Sequence, residues 1–112
     1  MDSEIKTWLY DILQSITEIE SYFEDRPKKY EEYIIDLKTK RAVERNIEII
    51  GEAANRIIKR EKNFQLENVQ KIIGTRNRIA HDYDKISDSL ICSILINHPP
   101  KLKEEVSQKL QE

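Results

Sequence analysis

Glycine, proline and cysteine are scarce in this chain, with two Gly, three Pro and one Cys in 112 residues. So few turn-formers leave little with which to build the repeated tight reversals of a sheet protein, whereas helices need few. The lone Cys92 excludes an intramolecular disulfide and fits a reducing compartment. It sits in the apolar run Leu90-Ile91-Cys92-Ser93-Ile94-Leu95-Ile96, where a thiol serves as a small buried hydrophobe. No apolar run approaches the ~20 residues needed to span a bilayer. The opening Met-Asp-Ser-Glu-Ile-Lys is too polar and acidic for a secretory signal. An excess of positive charge is also missing: the net charge is −2 and the pI about 5.8. That argues against a domain that holds nucleic acid by bulk electrostatics, and any such contact has to come from a local basic patch. Two His and one Cys, without His-Glu-x-x-His or Glu-x-x-His spacing, argue against a zinc or di-iron site. There is no glycine-rich phosphate loop and no Ser/His/Asp signature. One cytoplasmic domain over residues 1–112, with neither metal nor cofactor, is expected.

What is present is helical pattern. Ile5, Trp8, Leu9, Ile12, Ile16, Ile19 and Phe23 recur at steps of three and four and predict a first helix over residues 3–23. Asp2 or Ser3 can cap it, and Asp25-Arg26-Pro27 ends it. Tyr30, Tyr33, Ile34 and Leu37 suit a short amphipathic turn. A long helix follows over 38–62, with Asn63 as its stop signal. Mid-helix it carries Gly51-Glu52-Ala53-Ala54, and an internal Gly costs about 1 kcal/mol relative to Ala. The usual reason to tolerate that cost is close approach of another backbone, and Gly51, Ala53 and Ala54 are candidates for contact with a second copy of the chain. A fourth helix is expected from Leu66 or Glu67 to about His81. A fifth, capped by Ser87 or Asp88, is interrupted at Pro99-Pro100 before a terminal segment with Leu102, Val106 and Leu110. The class is all-α, an antiparallel bundle of four to five helices.

The chemistry concentrates in Arg76-Asn77-Arg78-Ile79-Ala80-His81-Asp82-Tyr83. Given the numbers of Arg, His and Tyr in the chain, an Arg-x4-His-x-Tyr pattern should arise by chance only about 0.006 times. A guanidinium and an imidazole are the minimum equipment for breaking a phosphodiester without metal. Histidine can take the proton from a ribose 2′-hydroxyl, and arginine can hold the phosphate and offset charge developing on its oxygens. Asn77 could orient the imidazole or the backbone, and Arg78 could add phosphate affinity. Residues five apart on a helix are about 140° apart after one turn, so Arg76 and His81 do not share a narrow face. A pocket therefore needs the helix to end near His81, or a second subunit. The plainer alternatives are a capping histidine, an arginine paired with a surface carboxylate and a tyrosine with a hydrogen-bonded hydroxyl. The clusters Lys38-Lys40-Arg41-Arg45 and Arg56-Lys59-Arg60-Lys62 read mainly as solvated helix faces, able to supply a basic track.

The stretch from Arg76 to Tyr83 resembles the Arg-x4-His-x-Tyr signature of the HepT-like toxins of the HEPN superfamily. The run from Arg41 to Ala54 resembles the same family's Gly-Glu-Ala-Ala helix. Where many relatives carry a tryptophan before the signature helix, this chain has Gln65-Leu66-Glu67-Asn68-Val69. The resemblance implies a homodimeric helical bundle with the motifs of both subunits lining one cleft. It implies a metal-independent endoribonuclease in which Arg76 and His81 are catalytic, with RNA as substrate. It further implies a toxin–antitoxin partner, a minimal nucleotidyltransferase of the MntA type, that silences the enzyme by transferring AMP to Tyr83. A non-catalytic module that binds nucleotides or substrates for such a transferase is the alternative within the superfamily.

Overall fold

The computed structural model describes residues 2–24, 30–81, 87–97 and 99–111, and these form six helices and no strand. They are α1 (Ser3–Tyr22), α2 (Tyr30–Ile35), α3 (Leu37–Arg60), α4 (Gln70–His81), α5 (Asp88–Asn97) and α6 (Pro99–Gln111). The 24-residue α3 is the spine, packed along α1 on one side and α4 on the other. α6 closes against α1, and α5 rests on α2 and α6.

α1, α3 and α5 begin where a side chain can satisfy the free N–H groups of the first turn. Asp2 accepts from the backbone N–H groups of Glu4 (2.8 Å) and Ile5 (3.3 Å). Asp36 accepts from the Thr39 N–H (3.1 Å) and the Thr39 hydroxyl (2.7 Å). Ser87 accepts from the Leu90 N–H at 3.1 Å. Pro99 and Pro100 open α6, in positions whose missing N–H groups have no intrahelical partner to lose. The expected stripe of α1 is buried at Ile5, Leu9, Ile12, Ile16 and Ile19, with Trp8 and Phe23 partly buried at its edge. Cys92 is buried in the core. Burial, with Asp88 and Glu31 adding to it, pushes its thiol above the ordinary range and keeps the reactive thiolate scarce.

Two boundaries differ from the sequence reading. α3 stops at Arg60, before Asn63. α4 begins at Gln70 rather than Leu66 or Glu67, because a residue distant in sequence claims the intervening backbone. The Glu105 carboxylate of α6 accepts from the backbone N–H groups of Glu67 (2.6 Å) and Asn68 (3.2 Å). That holds the segment as a turn while Leu66 and Val69 fill the core beneath it. The expected turn at 25–27 and the reading of His98 as a loop residue lie outside the described residues.

Between α1 and α3 the core contains one polar network. Asn46, 2% exposed, accepts from the Tyr22 hydroxyl (2.8 Å) and donates to the Glu18 carboxylate (2.8 Å). Gln14 donates to the second Glu18 oxygen at 3.2 Å. These hydrogen bonds, the one from Asn46 first, hold the Glu18 carboxyl below the usual carboxylate range.

Candidate active site

α4 turns Ile72 and Thr75 into the bundle and leaves Asn77, Arg78 and His81 exposed. Arg76 stands between these faces, its side chain 25% exposed and directed at α3. Its Nη2 lies 2.6 Å from Oε2 of Glu52, and its Nη1 donates to Oδ1 of Asn77 at 3.1 Å. The other Glu52 oxygen accepts from Nε of Arg56 at 3.1 Å. One carboxylate thus ties two guanidiniums together across the α3–α4 junction.

Gly51 is what lets α4 come this close. A Cβ at position 51 would lie 2.5 Å from Cβ and 2.9 Å from Cγ of Arg76, and 3.3 Å from the Ile72 carbonyl oxygen. The close approach expected from a second copy is therefore filled at Gly51 by α4 of the same chain. Ala54 is fully buried within the subunit and Ala53 is 4% exposed. The glycine is paired with the signature arginine, a coupling that the linear sequence does not display.

Arg76 borders a groove of about 470 Å³ between α1, α3 and α4. Trp8 and Asp11 contribute from α1, and Arg45, Glu48, Glu52 and Arg56 from α3, with Ile49 and Ala53 as aliphatic lining. A second hollow of about 460 Å³, lined by Arg41, Glu44, Arg45, Glu48 and Ile79, shares Arg45 and Glu48 with the first. The two hollows adjoin at that pair of side chains on α3. Their charges largely compensate one another, but loosely: Arg45 and Glu48 are 3.9 Å apart, with the arginine side chain 70% exposed. A pair of that kind is worth about 0–1 kcal/mol and yields readily to a phosphate.

His81 is exposed at the C-terminal end of α4. Among the described residues no hydrogen bond or ion pair joins it to Arg76, in keeping with the 140° offset. Asn77 is paired with Arg76 rather than with His81, and Arg78 points to solvent with no ion pair among the described residues. Tyr83 lies outside the described residues. The sequence reading missed Glu52 as the partner of Arg76 and took Arg45 and Arg56 for solvated face. The three- and four-residue steps 45, 48, 49, 52, 56 do mark one side of α3. Only packing reveals which neighbour that side meets.

An all-α bundle that holds an arginine at a groove and ends the same helix in an exposed histidine defines the class. The chain belongs to the HepT-like ribonuclease family, whose model matches residues 12–108. Among similar proteins is one of Methanocaldococcus jannaschii named “Putative RNase MJ1380”, 35% identical over 105 residues covering 92% of this chain and 94% of the relative. Another from the same archaeon, “Putative RNase MJ0125”, is 31% identical across 97% of this chain and 93% of its own length. A protein of Caldanaerobacter subterraneus subsp. tengcongensis, “Putative RNase TTE0752”, is 31% identical over 73% of this chain and 74% of its own. No solved structure gives a significant match.

Proposed function

We propose that this protein is a metal-independent endoribonuclease, with Arg76 and His81 as its catalytic residues. The observation that carries the reading is Arg76 at the edge of a groove, backed by Glu52, on the helix whose exposed end bears His81. In the proposed reaction His81 accepts the proton of a ribose 2′-hydroxyl as that oxygen attacks the adjacent phosphorus. The P–O5′ bond breaks, leaving a cyclic phosphate on one product and a 5′-hydroxyl on the other once the leaving oxygen is protonated. Arg76 pairs with the non-bridging oxygens as their charge grows, exchanging part of its contact with Glu52 for the phosphate. Asn77 steadies the guanidinium, and Arg78 adds attraction for neighbouring phosphates. No step calls for a metal.

The same reading makes the active form a homodimer, because the 140° between Arg76 and His81 on one helix is bridged most simply by motifs from two subunits facing a shared cleft. It makes the protein the toxin of a cytoplasmic toxin–antitoxin pair. An MntA-like nucleotidyltransferase would silence it by adding AMP to Tyr83, placing a bulky anion two residues from His81 where it would repel RNA.

The test is cleavage of RNA by purified protein in EDTA. We expect products ending in cyclic phosphate, and a loss of at least about a hundredfold in both Arg76→Ala and His81→Ala. Equal activity in all three proteins would overturn the proposal. Incubation with ATP and the transferase should add the mass of AMP to the wild type and not to Tyr83→Phe. One observation favours a second reading, a non-catalytic nucleotide-binding module: the Arg76 charge is already met by Glu52. That module would bind the transferase stably and leave RNA intact.

A further inference from the structure

Trp8 is the only tryptophan in the chain, and it lines the groove that contains Arg76 instead of joining the fully buried core. An indole facing a groove together with arginines is the equipment with which proteins hold unpaired bases: the ring supplies a stacking face and the cations take the flanking phosphates. We propose that this groove seats one unpaired base of single-stranded RNA, stacked on Trp8, next to the phosphate held by Arg76. The assignment rests on the nuclease reading for its substrate class, and adds to it a base-binding site and a residue that reads the base.

Four features converge on that occupant. The groove, at about 470 Å³, falls within the range of sites for small organic ligands, about 300–1,000 Å³. Among its charged lining residues the half-buried Ile49 adds an aliphatic surface to that of Trp8, which suits the face of a base but offers nothing to a bare phosphate. Arg45 is bound only weakly to Glu48 and is free to turn to a neighbouring phosphate. Asp11 lies one helical turn from Trp8 on the same side of α1 and has no ion-pair or hydrogen-bond partner among the described residues. A carboxylate accepts from N–H donors and offers none, so it favours the base with two adjacent donors on its Watson–Crick edge. That base is guanine, through N1–H and N2–H. A docked protein segment would equally cover the apolar lining, but the loosely held Arg45 beside the indole favours a nucleotide, whose phosphate it can take in exchange for Glu48.

Because Trp8 is unique, its fluorescence reads the site directly. The probes are four single-stranded ribopentanucleotides, 2′-O-methylated so that no attacking hydroxyl is present, differing only in the central base. Titration into the full-length protein should quench Trp8 emission saturably. The guanine probe should bind at least about threefold tighter than the uracil probe, and Asp11→Asn should remove that preference. Base stacking on an aromatic ring is worth about five- to a hundredfold in affinity. Trp8→Leu, followed by anisotropy of a labelled probe, should therefore bind at least about fivefold more weakly, and Trp8→Phe should recover most of the loss. Probe binding that leaves Trp8 emission unchanged, or no binding at all, overturns the proposal. Equal affinity for all four bases removes Asp11 from the readout. Quenching without RNA cleavage by the wild type would leave the base site standing and the nuclease reading fallen; cleavage intact in Trp8→Leu would do the reverse.

Discussion

At the scale of single residues, the informative ones are polar groups with defined partners. Glu52 holds Arg76 without a place of its own in the proposed chemistry, so it acts as a positioning residue. Glu52→Gln preserves shape and removes the charge. Its fold should be nearly as stable as the wild type, since partly exposed pairs contribute about 0–1 kcal/mol. Its kcat for RNA cleavage should fall roughly tenfold or more with KM little changed, as when a supporting partner of a site residue is lost; an unaltered kcat would show that Arg76 needs no such support. In the Tyr22–Asn46–Glu18 network, Tyr22→Phe leaves the buried Asn46 oxygen without its donor and should cost about 1–2 kcal/mol in chemical unfolding. Asn46→Ala should cost more, because it also strips Glu18 of its principal donor. The Glu18 carboxyl is held lower in the folded chain than in the unfolded one. Its contribution is therefore fully present above the ordinary carboxylate range and lost as pH falls through the lowered folded value. Asn46→Ala should flatten that acid limb of the stability curve, which urea titrations at stepped pH would measure.

At the scale of helices, the two glycines make a controlled comparison. Both sit inside helices, at 51 in α3 and 74 in α4. A Cβ at Gly74 would meet nothing within 4 Å, so Gly74→Ala should stabilise the chain by about 0.5–1 kcal/mol through lower unfolded-state entropy and higher helix propensity. A Cβ at Gly51 would collide with the fixed first carbons of Arg76 rather than a flexible tip. Overpacking of that kind costs about 1–3 kcal/mol, which exceeds the propensity gain of about 1. Gly51→Ala should therefore lower Tm where Gly74→Ala raises it, and should displace Arg76 and reduce cleavage. Thermal melts of the two variants decide the matter, and a Gly51→Ala protein as stable and active as the wild type would refute the seat described for Arg76. The junction before α4 has a comparable dependence: Glu105→Ala frees the N–H groups of Glu67 and Asn68 and should destabilise the start of the signature helix by about 1–2 kcal/mol.

At the scale of the whole molecule, the proposed composite cleft requires association. Light scattering at micromolar concentration should give twice the 13.3 kDa of the chain. A monomer that still cleaves RNA would mean that Arg76 and His81 of one α4 suffice. With a net charge of −2, affinity for RNA has to come from local arginines such as those lining the groove, so binding should weaken steeply with salt even though the protein is acidic.

Composition and periodicity were sufficient for the all-α class, for the stripe of α1 and for the burial of Cys92, because apolar spacing and scarce turn-formers act locally along the chain. The Arg76–His81 motif was legible too, and family membership with it, since eight consecutive residues carry the pattern. Its surroundings were not. Gly51 and Glu52 stand more than twenty residues before Arg76, and their roles follow from how closely α3 and α4 pack. The start of α4 depended on Glu105, a side chain more than thirty residues further along the chain that competes for backbone N–H groups that local propensity assigns to a helix. Trp8 fitted a core stripe by spacing alone, and only the gap left between three helices turned it towards a groove. Local energetics chose the helices; the distances between them, fixed by packing, decided which charged groups meet.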